Sequence, residues 1–478
     1  MRWTLTQVAG ALAVPPGPGL APLARMAGVS IDSRTLRAGD LFIAIHGPRH
    51  NGHEFVAAAL ERGAVAAVVA RAEAGRFSEA VLARCLVVED TFQALQRLGS
   101  AQRQAWGRRI AGVTGSVGKT TTKEILAALL GARFRVLKSE GNLNNEYGLP
   151  LTLCRLEETH EAAVLEMGMS RRGELARLAA VARPDVGVVT RVTPAHLEFF
   201  ASLDEIALAK RELIEGLNGP DSVAVLNADD PRVAAFAAFA PGSVLTYGVE
   251  QPAAFRVEAI EDRGALGSAF VYVAPAGRAR LELSLPGRHL VANALAALAA
   301  ASVWGVGAAE AQRVFPQLHP AAMRGELLRF DDDTAVIDDS YNCSPASLVA
   351  AIDVLAATPG FRRRILAAGE MLELGAASPE LHREAGRAAV KTGKVDWILS
   401  VQGQAREIAE SAVSAGHPRA QTKHFASSAE AAEFLAAFLQ PGDLLLVKGS
   451  RGVQMERIVE ALLARHTPVA NARQGAQH

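Results

Sequence analysis

The chain has 478 residues, which is too long for one ordinary hydrophobic core, and its length predicts about three domains. It carries 50 Lys and Arg against 50 Asp and Glu, so its formal net charge is zero. This balance provides no electrostatic footprint for nucleic acid or for an anionic membrane, and we expect neither as a partner. The odd and scattered set of Cys85, Cys154 and Cys343 predicts neither a zinc site nor a disulfide framework, so we expect a cytoplasmic protein.

Two apolar segments bear on the question of membrane association. The stretch "VAGALAV" near the N-terminus is short and is bounded by Gln7 and two prolines, which makes a poor signal peptide. The alanine-rich run 293–309 is also short and contains Asn293 and Ser302. It therefore predicts a buried helix rather than a membrane span.

In chain order, the pattern of apolar runs changes twice. In residues 1–108 short apolar runs mix with turns, and "DLFIAIHG" and "AVAAVVA" are typical of strands. Apolar runs then alternate with helical segments: "IAGVTG" before helix 119–130, "AAVLEMG" before 172–181, "VGVVTRV" before 203–217, and then "SVAVLNA". Strand-like runs such as "AFVYVA" follow at 252–285. Strand–helix alternation predicts a parallel sheet covered by helices.

The alternation resumes in the last third of the chain. It contains the runs "TAVIDDS", "RRILAAGE", "DWILSVQG" and "GDLLLVKGS", whereas the tail 464–478 has no apolar period and is expected to be loose. The predicted fold class is α/β with three domains. They are an N-terminal α/β module at 1–108, a central P-loop domain at 109–322 and a C-terminal Rossmann-like domain at 323–478.

The segment "GVTGSVGKTT", residues 112–121, is the main chemical motif. It follows a predicted strand and opens a predicted helix, which is the context of a phosphate-binding loop. In such a loop the amine of Lys119 reaches the terminal phosphates and the hydroxyl of Thr120 binds Mg²⁺. The alternative is a Gly-rich turn with an exposed lysine.

Two further residues follow strands of the same predicted sheet. Glu166 ends the run "AAVL", and His196 follows the next predicted strand. Ligands of such sheets bind outside the carboxyl ends of the strands, and Mg²⁺ prefers oxygen ligands. Both residues are therefore metal-site candidates, although a loop histidine is commonly only solvated or hydrogen-bonded.

Lys210 interrupts the apolar face of a predicted helix that begins at "SLDE", residues 202–205. The face comprises Ile206, Leu213, Ile214 and Leu217. The side chain could extend along this face to solvent. Alternatively, a buried amine has a lowered pKa, and in its neutral form it reacts with CO₂ to give a carbamate, which is a metal-binding anion.

Three loops carry weaker signals. The histidines of "HGPRHNGHEF", His46, His50 and His53, could bind a metal, but their spacing is not that of a standard site. "IDSRTLRAGD" could hold an anion at Ser33 and Arg34, or could be an ordinary solvated loop. "LLLVKGSRG" could bind a carboxylate or phosphate through its cations, or these could be plain surface charges.

Taken together, these motifs resemble the Mur ligase family over nearly the whole chain. "GVTGSVGKTT" matches the family's version of the P-loop, G-x-T-G-[ST]-x-G-K-[ST]-[TS]. "LPGRHLVANALAA" resembles its adenine-side motif, "MRGE" its arginine-containing motif and "DDSYNCSP" its nucleotide-side aspartate motif. "NLNNEYGLP", "EMGMSRRGEL" and "VKGSRG" are similar to the branch that adds the dipeptide D-Ala-D-Ala.

The resemblance implies roles for matching residues. ATP contacts would come from the loop and three later positions: Thr114, Gly115, Ser116, Val117, Gly118, Lys119, Thr120, Thr121, Asn293, Arg324 and Asp339. The catalytic residues would be Lys119, Glu166, His196 and Lys210. The Mg²⁺ ligands would be Thr120, Glu166, His196 and a carbamylated Lys210. Substrate contacts would be Asp32, Ser33, Arg34, Asn144, Asn145, Lys448, Ser450 and Arg451.

The implied activity is an ATP-dependent ligation of D-Ala-D-Ala to UDP-MurNAc-tripeptide through an acyl phosphate, by a cytoplasmic monomer whose first domain binds the UDP end. The ligase that adds the third amino acid, and a folylpolyglutamate synthase, are alternatives within the same superfamily. A P-loop switch or transport ATPase is an alternative of another class, but it leaves Lys210 and the whole last domain unexplained.

Overall fold

The computed structural model describes residues 3–47, 50–194, 200 and 202–469. The described chain forms three α/β units, each around its own sheet, of four, nine and six strands. The predicted fold class is confirmed. No helix in these ranges combines the length and apolar character that crossing a bilayer would need. Most of the run 293–309 lies in a buried helix, as its composition predicts.

The first unit is a parallel sheet of order β1-β2-β3-β4. Its strands are β1 Val29–Ser30, β2 Leu41–Ile43, β3 Ala66–Ala70 and β4 Cys85–Val88. Its helices are α1 Leu5–Leu12, α2 Val56–Glu61, α3 Glu79–Leu82 and α4 Thr91–Trp106. Because β2 and β3 are buried over almost their whole length, the unit has a core on each face of the sheet.

The second unit has the sheet order β13-β12-β11-β10-β9-β8-β5-β7-β6. Its strands are β5 Ile110–Thr114, β6 Val136–Lys138, β7 Ala162–Glu166, β8 Val186–Val189, β9 Val223–Asn227, β10 Ser243–Gly248, β11 Phe255–Asp262, β12 Ser268–Ala274 and β13 Gly277–Leu283. Its helices are α5 Lys119–Gly131, α6 Gly148–Leu153, α7 Glu174–Ala182, α8 Leu203–Glu215, α9 Pro231–Ala234, α10 His289–Ala301 and α11 Ala308–Val314.

The two faces of this second sheet bury separate cores. Helices α5 and α10 pack on one face, and α7 and α8 pack on the other. The small alanine side chains of α10 let it lie close against α5 and remain almost wholly buried. Strands β5 to β11 are parallel, β12 runs antiparallel to β11, and β13 runs antiparallel to β12. The carboxyl ends of β5, β7 and β8 therefore meet at one edge.

The third unit has the order β14-β15-β19-β16-β17-β18, with only β14 antiparallel to its neighbour. Its strands are β14 Glu326–Arg329, β15 Ala335–Asp339, β16 Arg363–Gly369, β17 Trp397–Val401, β18 Thr422–Phe425 and β19 Asp443–Lys448. Its helices are α12 Pro345–Ala357, α13 Ser378–Lys391, α14 Arg406–Ser414, α15 Ser428–Phe438 and α16 Glu456–Leu463.

The expectation of a loose tail is wrong for its first residues. The amide of Asp331 donates to the carbonyl of Thr467 at 3.1 Å, and that of Val469 donates to Arg329 at 2.8 Å. These bonds pair the chain with the end of β14. Backbone pairing at a sheet edge needs no apolar period, so the sequence pattern did not reveal it.

Candidate active site

The P-loop connects β5 to α5 and needs glycine at two positions. Gly115 has φ 150° and Gly118 has φ 85°. A Cβ on Gly115 would lie 1.8 Å from Thr190 Oγ1, and one on Gly118 would lie 2.5 Å from Asn293 Oδ1. Side chains from β8's end and from α10 thus occupy the space that any larger residue would need.

The segment after β8 holds the loop in this conformation. The amide of Ser116 donates to the carbonyl of Arg191 at 2.7 Å, and its hydroxyl donates to Thr193 at 3.0 Å. The hydroxyl of Thr190 donates to the carbonyl of Val117 at 2.6 Å. The loop shape is therefore fixed by contacts within the protein.

A second layer of contacts fixes Thr190 itself. Its carbonyl accepts hydrogen bonds from Asn227 Nδ2 at 2.8 Å and from the buried phenol of Tyr247 at 3.0 Å. Burial raises the pKa of Tyr247 well above its ordinary value, so the phenol stays a donor. Sequence reasoning missed all three residues. The rule that singled out Glu166, polar residues at strand ends, also applies to Thr190 and Asn227.

Lys119 lies at the first position of α5 and turns back over the loop. Its Nζ donates to the carbonyls of Gly115 at 2.7 Å and Ser116 at 3.2 Å. Removal from water lowers the pKa of Lys119; the charge of Glu166 opposes this shift and that of Arg324 adds to it. The charges of Glu166 and Arg324 therefore both lie close to Lys119.

Glu166 ends β7 and is almost fully buried. Asn144 Nδ2 donates to its Oε1 at 2.8 Å. Its Oε2 is buried and has no hydrogen-bond partner among the described residues. A buried carboxylate oxygen without a partner is costly, and a divalent cation would satisfy it. The donor set therefore fits Mg²⁺ at this point.

The protein would supply few of the ligands of such a cation. No group of three or more His, Cys, Asp or Glu side chains suited to a metal occurs in the described ranges. Mg²⁺ usually keeps waters and binds one or two carboxylates together with substrate phosphates, so Glu166 and the predicted ligand Thr120 would be enough protein ligands. His196, the other predicted ligand, lies outside the described residues.

Lys210 lies on α8 with only 3% of its surface exposed. No side chain in the described part of the chain pairs with its amine. Burial lowers the pKa of Lys210 well below the ordinary lysine value, and the charge of Lys119 lowers it further. The alternative of a side chain reaching solvent is therefore wrong, because the amine is buried beside the P-loop lysine.

The third unit contributes a buried ion pair. Lys448, at the end of β19, lies 2.7 Å from Asp339 Oδ2, at the end of the neighbouring β15, and also donates to the carbonyl of Asn342 at 3.0 Å. Both charges are thus committed to each other. Asp339 and Lys448, which the sequence assigns to different ligands, are one structural pair.

Two arginines of this unit meet one aromatic ring. The guanidinium carbon of Arg324 lies 4.1 Å from the ring centroid of Tyr341, and that of Arg451 lies 5.9 Å from it. Arg451 also pairs with Glu456 at 3.1 Å. Ser450 is buried, and its hydroxyl accepts from the amide of Leu372 at 2.9 Å.

In the first unit, Arg34 forms a two-point ion pair with Asp32, at 2.7 and 3.0 Å. The Arg34 guanidinium lowers the pKa of the Asp32 carboxyl to about 2. The carbonyl of Ser33 accepts from Arg62 at 2.8 Å. The pair leaves an exposed guanidinium edge on the loop after β1, because the side chain of Arg34 is largely in solvent.

In the histidine loop, His53 has a structural role. His53 Nδ1 lies 2.8 Å from Asn51 Oδ1, and its Nε2 accepts from the amide of Ala70 at 2.9 Å. Both ring nitrogens are therefore engaged, and the alternative of a metal site at His53 is wrong.

The two predicted asparagines before α6 have different surroundings. Asn145 Oδ1 accepts from the amides of Tyr147 at 3.1 Å and Gly148 at 2.9 Å, so it stabilises the turn that leads into that helix. Asn144 contacts Glu166 instead. The residues that the structure brings together are thus Lys119, Asn144, Glu166, Lys210 and Arg324.

A P-loop, a buried carboxylate and a buried lysine on one parallel sheet define a nucleotide-dependent enzyme of the P-loop class. Three family models match the chain: "Mur ligase family, catalytic domain" at 25–103, "Mur ligase middle domain" at 113–301, and "Mur ligase, glutamate ligase domain" at 323–451. The UDP-N-acetylmuramoyl-tripeptide–D-alanyl-D-alanine ligase of Bacillus subtilis is 35% identical over 437 residues, 91% of this chain and 93% of the relative. The chain belongs to the Mur ligase family and is an ATP-dependent amide-bond ligase.

Solved structures agree with this assignment. MurF from Acinetobacter baumannii superposes with a TM-score of 0.87 at 30% identity, covering 97% of this chain and 99% of that one. The MurF ligase from Thermotoga maritima in complex with ADP gives 0.76 at 28% identity, covering 91% and 96%. The resemblance to the Mur ligase family is confirmed.

Proposed function

We propose that the protein joins D-Ala-D-Ala to UDP-MurNAc-tripeptide in peptidoglycan precursor synthesis, with ATP converted to ADP and phosphate. The observation that carries the proposal is that Glu166 and Arg324 lie close enough to the P-loop Lys119 for their charges to affect its pKa, and that the charge of Lys119 in turn lowers the pKa of Lys210. The name of the B. subtilis relative, which matches 91% of this chain, gives the substrates.

The reaction needs no covalent intermediate with the protein. An oxygen of the tripeptide carboxylate attacks the γ-phosphorus of ATP while the bond from that phosphorus to the β-phosphate oxygen breaks, giving an acyl phosphate and ADP. The amine of D-Ala-D-Ala then attacks the acyl carbon. Phosphate leaves with its electron pair, the amine nitrogen loses a proton, and an amide remains. The protein's task is positioning and charge stabilisation.

In this scheme Lys119 and the amides of residues 114–121 bind the phosphates of ATP, and Asn293, Arg324 and Asp339 contact the remainder of the nucleotide. Thr120 and Glu166 would hold Mg²⁺, with His196 as a further ligand. The metal would supply positive charge to the transferring phosphoryl group. Arg324 belongs to the third unit and lies near the same crevice, since its charge lowers the pKa of Lys119.

Lys210 is proposed to carry a carbamate. Its neutral amine would form a bond to the carbon of CO₂ and release one proton, which replaces a neutral buried group by an anion. Desolvation favours the neutral, reactive form. The charge of Lys119 would then stabilise the product, whereas it destabilises a lysinium at this position.

The three units are proposed to divide the substrates, with boundaries after residues 108 and 322. The family-model matches stop at 103 and restart at 113, and stop at 301 and restart at 323, which supports these boundaries. Asp32, Ser33 and Arg34 would contact the UDP end. Asn144 and Asn145 are predicted substrate contacts, and Lys448, Ser450 and Arg451 would lie near the peptide or the incoming dipeptide. One chain supplies every part, so we propose a monomer. Its free cysteines fit the reducing cytoplasm.

The test is incubation with ATP, UDP-MurNAc-tripeptide and D-Ala-D-Ala, followed by mass spectrometry. We expect the pentapeptide product with ADP and phosphate. Lys119→Ala should reduce turnover about 10²- to 10³-fold, because it removes one preorganised charge from the transferring group. AMP and pyrophosphate, or near-normal turnover of the variant, would contradict the mechanism.

Competing amines separate the alternatives in the same assay. A ligase of the third-residue type would use a single amino acid and a UDP-MurNAc-dipeptide, and a folylpolyglutamate synthase would use glutamate and a folate. A switch or transport ATPase would hydrolyse ATP without any amide product. The relatives that cover over nine-tenths of this chain favour the dipeptide.

A further inference from the structure

The contact between Asn144 and Glu166 has a defined direction. A carboxylate only accepts hydrogen bonds, so the amide group of Asn144 must point its Nδ2 at Oε1, as it does at 2.8 Å. The other oxygen, Oε2, is left buried and without a partner among the described residues. One carboxylate oxygen is thus fixed and the second is kept free.

Asn144 is itself held in place from both sides. The backbone N–H of Asn144 donates to the carbonyl of Asn142 at 2.8 Å, and the backbone carbonyl of Asn144 accepts from the N–H of Gly168 at 2.8 Å. A Cβ on Gly168 would lie only 3.1 Å from the Asn144 side chain, so the backbone after β7 packs closely over that amide. These contacts fix both the position of Asn144 and its distance from the strand that carries Glu166.

The hydrogen bond from Asn144 Nδ2 to Glu166 Oε1 is the contact that sets the rotation of the carboxylate. The terminal torsion of a glutamate is broad and costs little to turn. The backbone of Glu166 is fixed by its own amide, which donates to Ser139 Oγ at 3.0 Å, but this bond does not act on the carboxylate. Loss of the Asn144 donor would therefore free the carboxylate to turn while leaving its backbone in place.

We propose that Asn144 is a positioning residue that orients Glu166 so that Oε2 faces a divalent cation. This inference rests on the proposed function, because it takes the Glu166 crevice as the metal site. It differs from the role that the sequence suggests for Asn144, which is direct contact with the substrate. Partners that orient a metal ligand typically contribute about 10- to 100-fold in metal affinity.

The test is a titration with Mn²⁺ in the presence of ADP, in which the electron paramagnetic resonance signal reports the concentration of free Mn²⁺. We expect Asn144→Ala to weaken binding about 10- to 100-fold. Asn144→Asp keeps the volume of the side chain but removes the hydrogen-bond donor. We expect it to weaken Mn²⁺ binding at least as much as Asn144→Ala does. Tighter Mn²⁺ binding by Asn144→Asp would mean that the new carboxylate binds the ion itself, and it would overturn the proposal. Thermal denaturation of each variant verifies that it is folded.

A double-variant comparison identifies the route of the effect. If Asn144 acts through Glu166, then adding Asn144→Ala to Glu166→Gln should cause no further loss of Mn²⁺ affinity. A matched control is Asn218→Ala, which removes a comparable hydrogen bond from a side-chain amide to a carboxylate. In the wild type, Asn218 Nδ2 donates to Oδ1 of Asp185, which lies just before β8, at 3.1 Å. It should leave Mn²⁺ affinity unchanged.

The outcomes separate this inference from the proposed function. Unchanged Mn²⁺ affinity in Asn144→Ala with a raised KM for UDP-MurNAc-tripeptide would overturn the positioning role and leave the ligase activity standing. Additive losses in the double variant would also overturn it. A wild-type protein that binds no Mn²⁺ with ADP would overturn both.

Discussion

At the scale of single residues, Lys210 shows how a catalytic group conflicts with stability. Among the described residues the buried amine of Lys210 has no partner, and its burial disfavours the charged form, which is the form that the unfolded chain carries at neutral pH. The protein must therefore release a proton when it folds, or bury a charge. Either process lowers the stability of the folded state, and the cost is tolerated only where the group has a function.

Lys210→Met should therefore stabilise the protein at pH 7 while abolishing ligation. The pKa of Lys210 is lower in the folded than in the unfolded state, so the unfolded state binds more protons between the two values. In that window wild-type stability rises with pH, by up to about 1.4 kcal/mol per unit, and the variant lacks this slope. Denaturant unfolding in CO₂-depleted buffer at pH 7 and pH 9 measures the free energy of unfolding of both proteins. The stability advantage of Lys210→Met over wild type should be smaller at pH 9 than at pH 7.

The arginine variant tests the carbamate rather than the burial. Lys210→Arg keeps a positive charge and cannot form a carbamate under ordinary conditions, so it should be inactive. Bicarbonate should restore activity to CO₂-depleted wild type and leave both variants inactive. A fully active Lys210→Arg enzyme would rule out the carbamate.

At the scale of elements, the loop between β5 and α5 is held by side chains that fill the space beside its glycines. Gly115→Ala would bring a Cβ to 1.8 Å from Thr190 Oγ1 at a φ of 150°, so the loop or β8 must move. We expect a strong loss of ATP affinity, because the loop amides lose their alignment with the phosphates. Binding of a fluorescent ATP analogue measures this loss.

The same helix provides the control. Gly131 ends α5, has no heavy atom within 4 Å of its added Cβ, and does not need a positive φ. Gly131→Ala should leave nucleotide binding unchanged and raise stability by up to about 1 kcal/mol, because alanine restricts the unfolded chain. Equal loss in both variants would mean that helix packing, not the loop, sets ATP affinity.

The elements were largely predictable, whereas the contacts between them were not. Apolar runs bounded by turns predicted the strands around Glu166, and a lysine in an apolar stripe singled out Lys210. The bonds from Asn227 and Tyr247 to Thr190 join segments about 37 and 57 residues apart, and no local period reports such pairs. For the same reason, the pairing of Lys448 with Asp339 and of Asn144 with Glu166 appeared only in the structure.

At the scale of the whole molecule, the two junctions differ in their construction. Between the first and second units, Arg103 of α4 is buried and bonds to the carbonyl of Ala182 at 2.8 Å and to Asp185 at 2.9 Å. Cys154, just after α6, lies in the first unit's core. These two units therefore share buried structure, which favours movement as one body.

The third unit is attached in part through a turn of the second sheet. The turn at Gly264–Leu266, between β11 and β12, reaches it: the amide of Ala265 donates to Thr358 Oγ1 at 2.9 Å, and Ala265 packs in the third unit's core. A Cβ on Gly287 would lie 2.4 Å from Val354, so α12 packs tightly there as well. A well-packed contact of this kind is suited to act as a pivot.

Ligand binding should therefore compact the molecule through movement of the third unit. An acyl phosphate must be shielded from water while the amine approaches, and closure of domains is a common means of doing so. Small-angle X-ray scattering should show a smaller radius of gyration with a non-hydrolysable ATP analogue and UDP-MurNAc-tripeptide together than with either alone. Lys119→Ala, which weakens the nucleotide contact, should need more analogue for the same change. An unchanged envelope at saturation would mean that the units are already in their reacting arrangement.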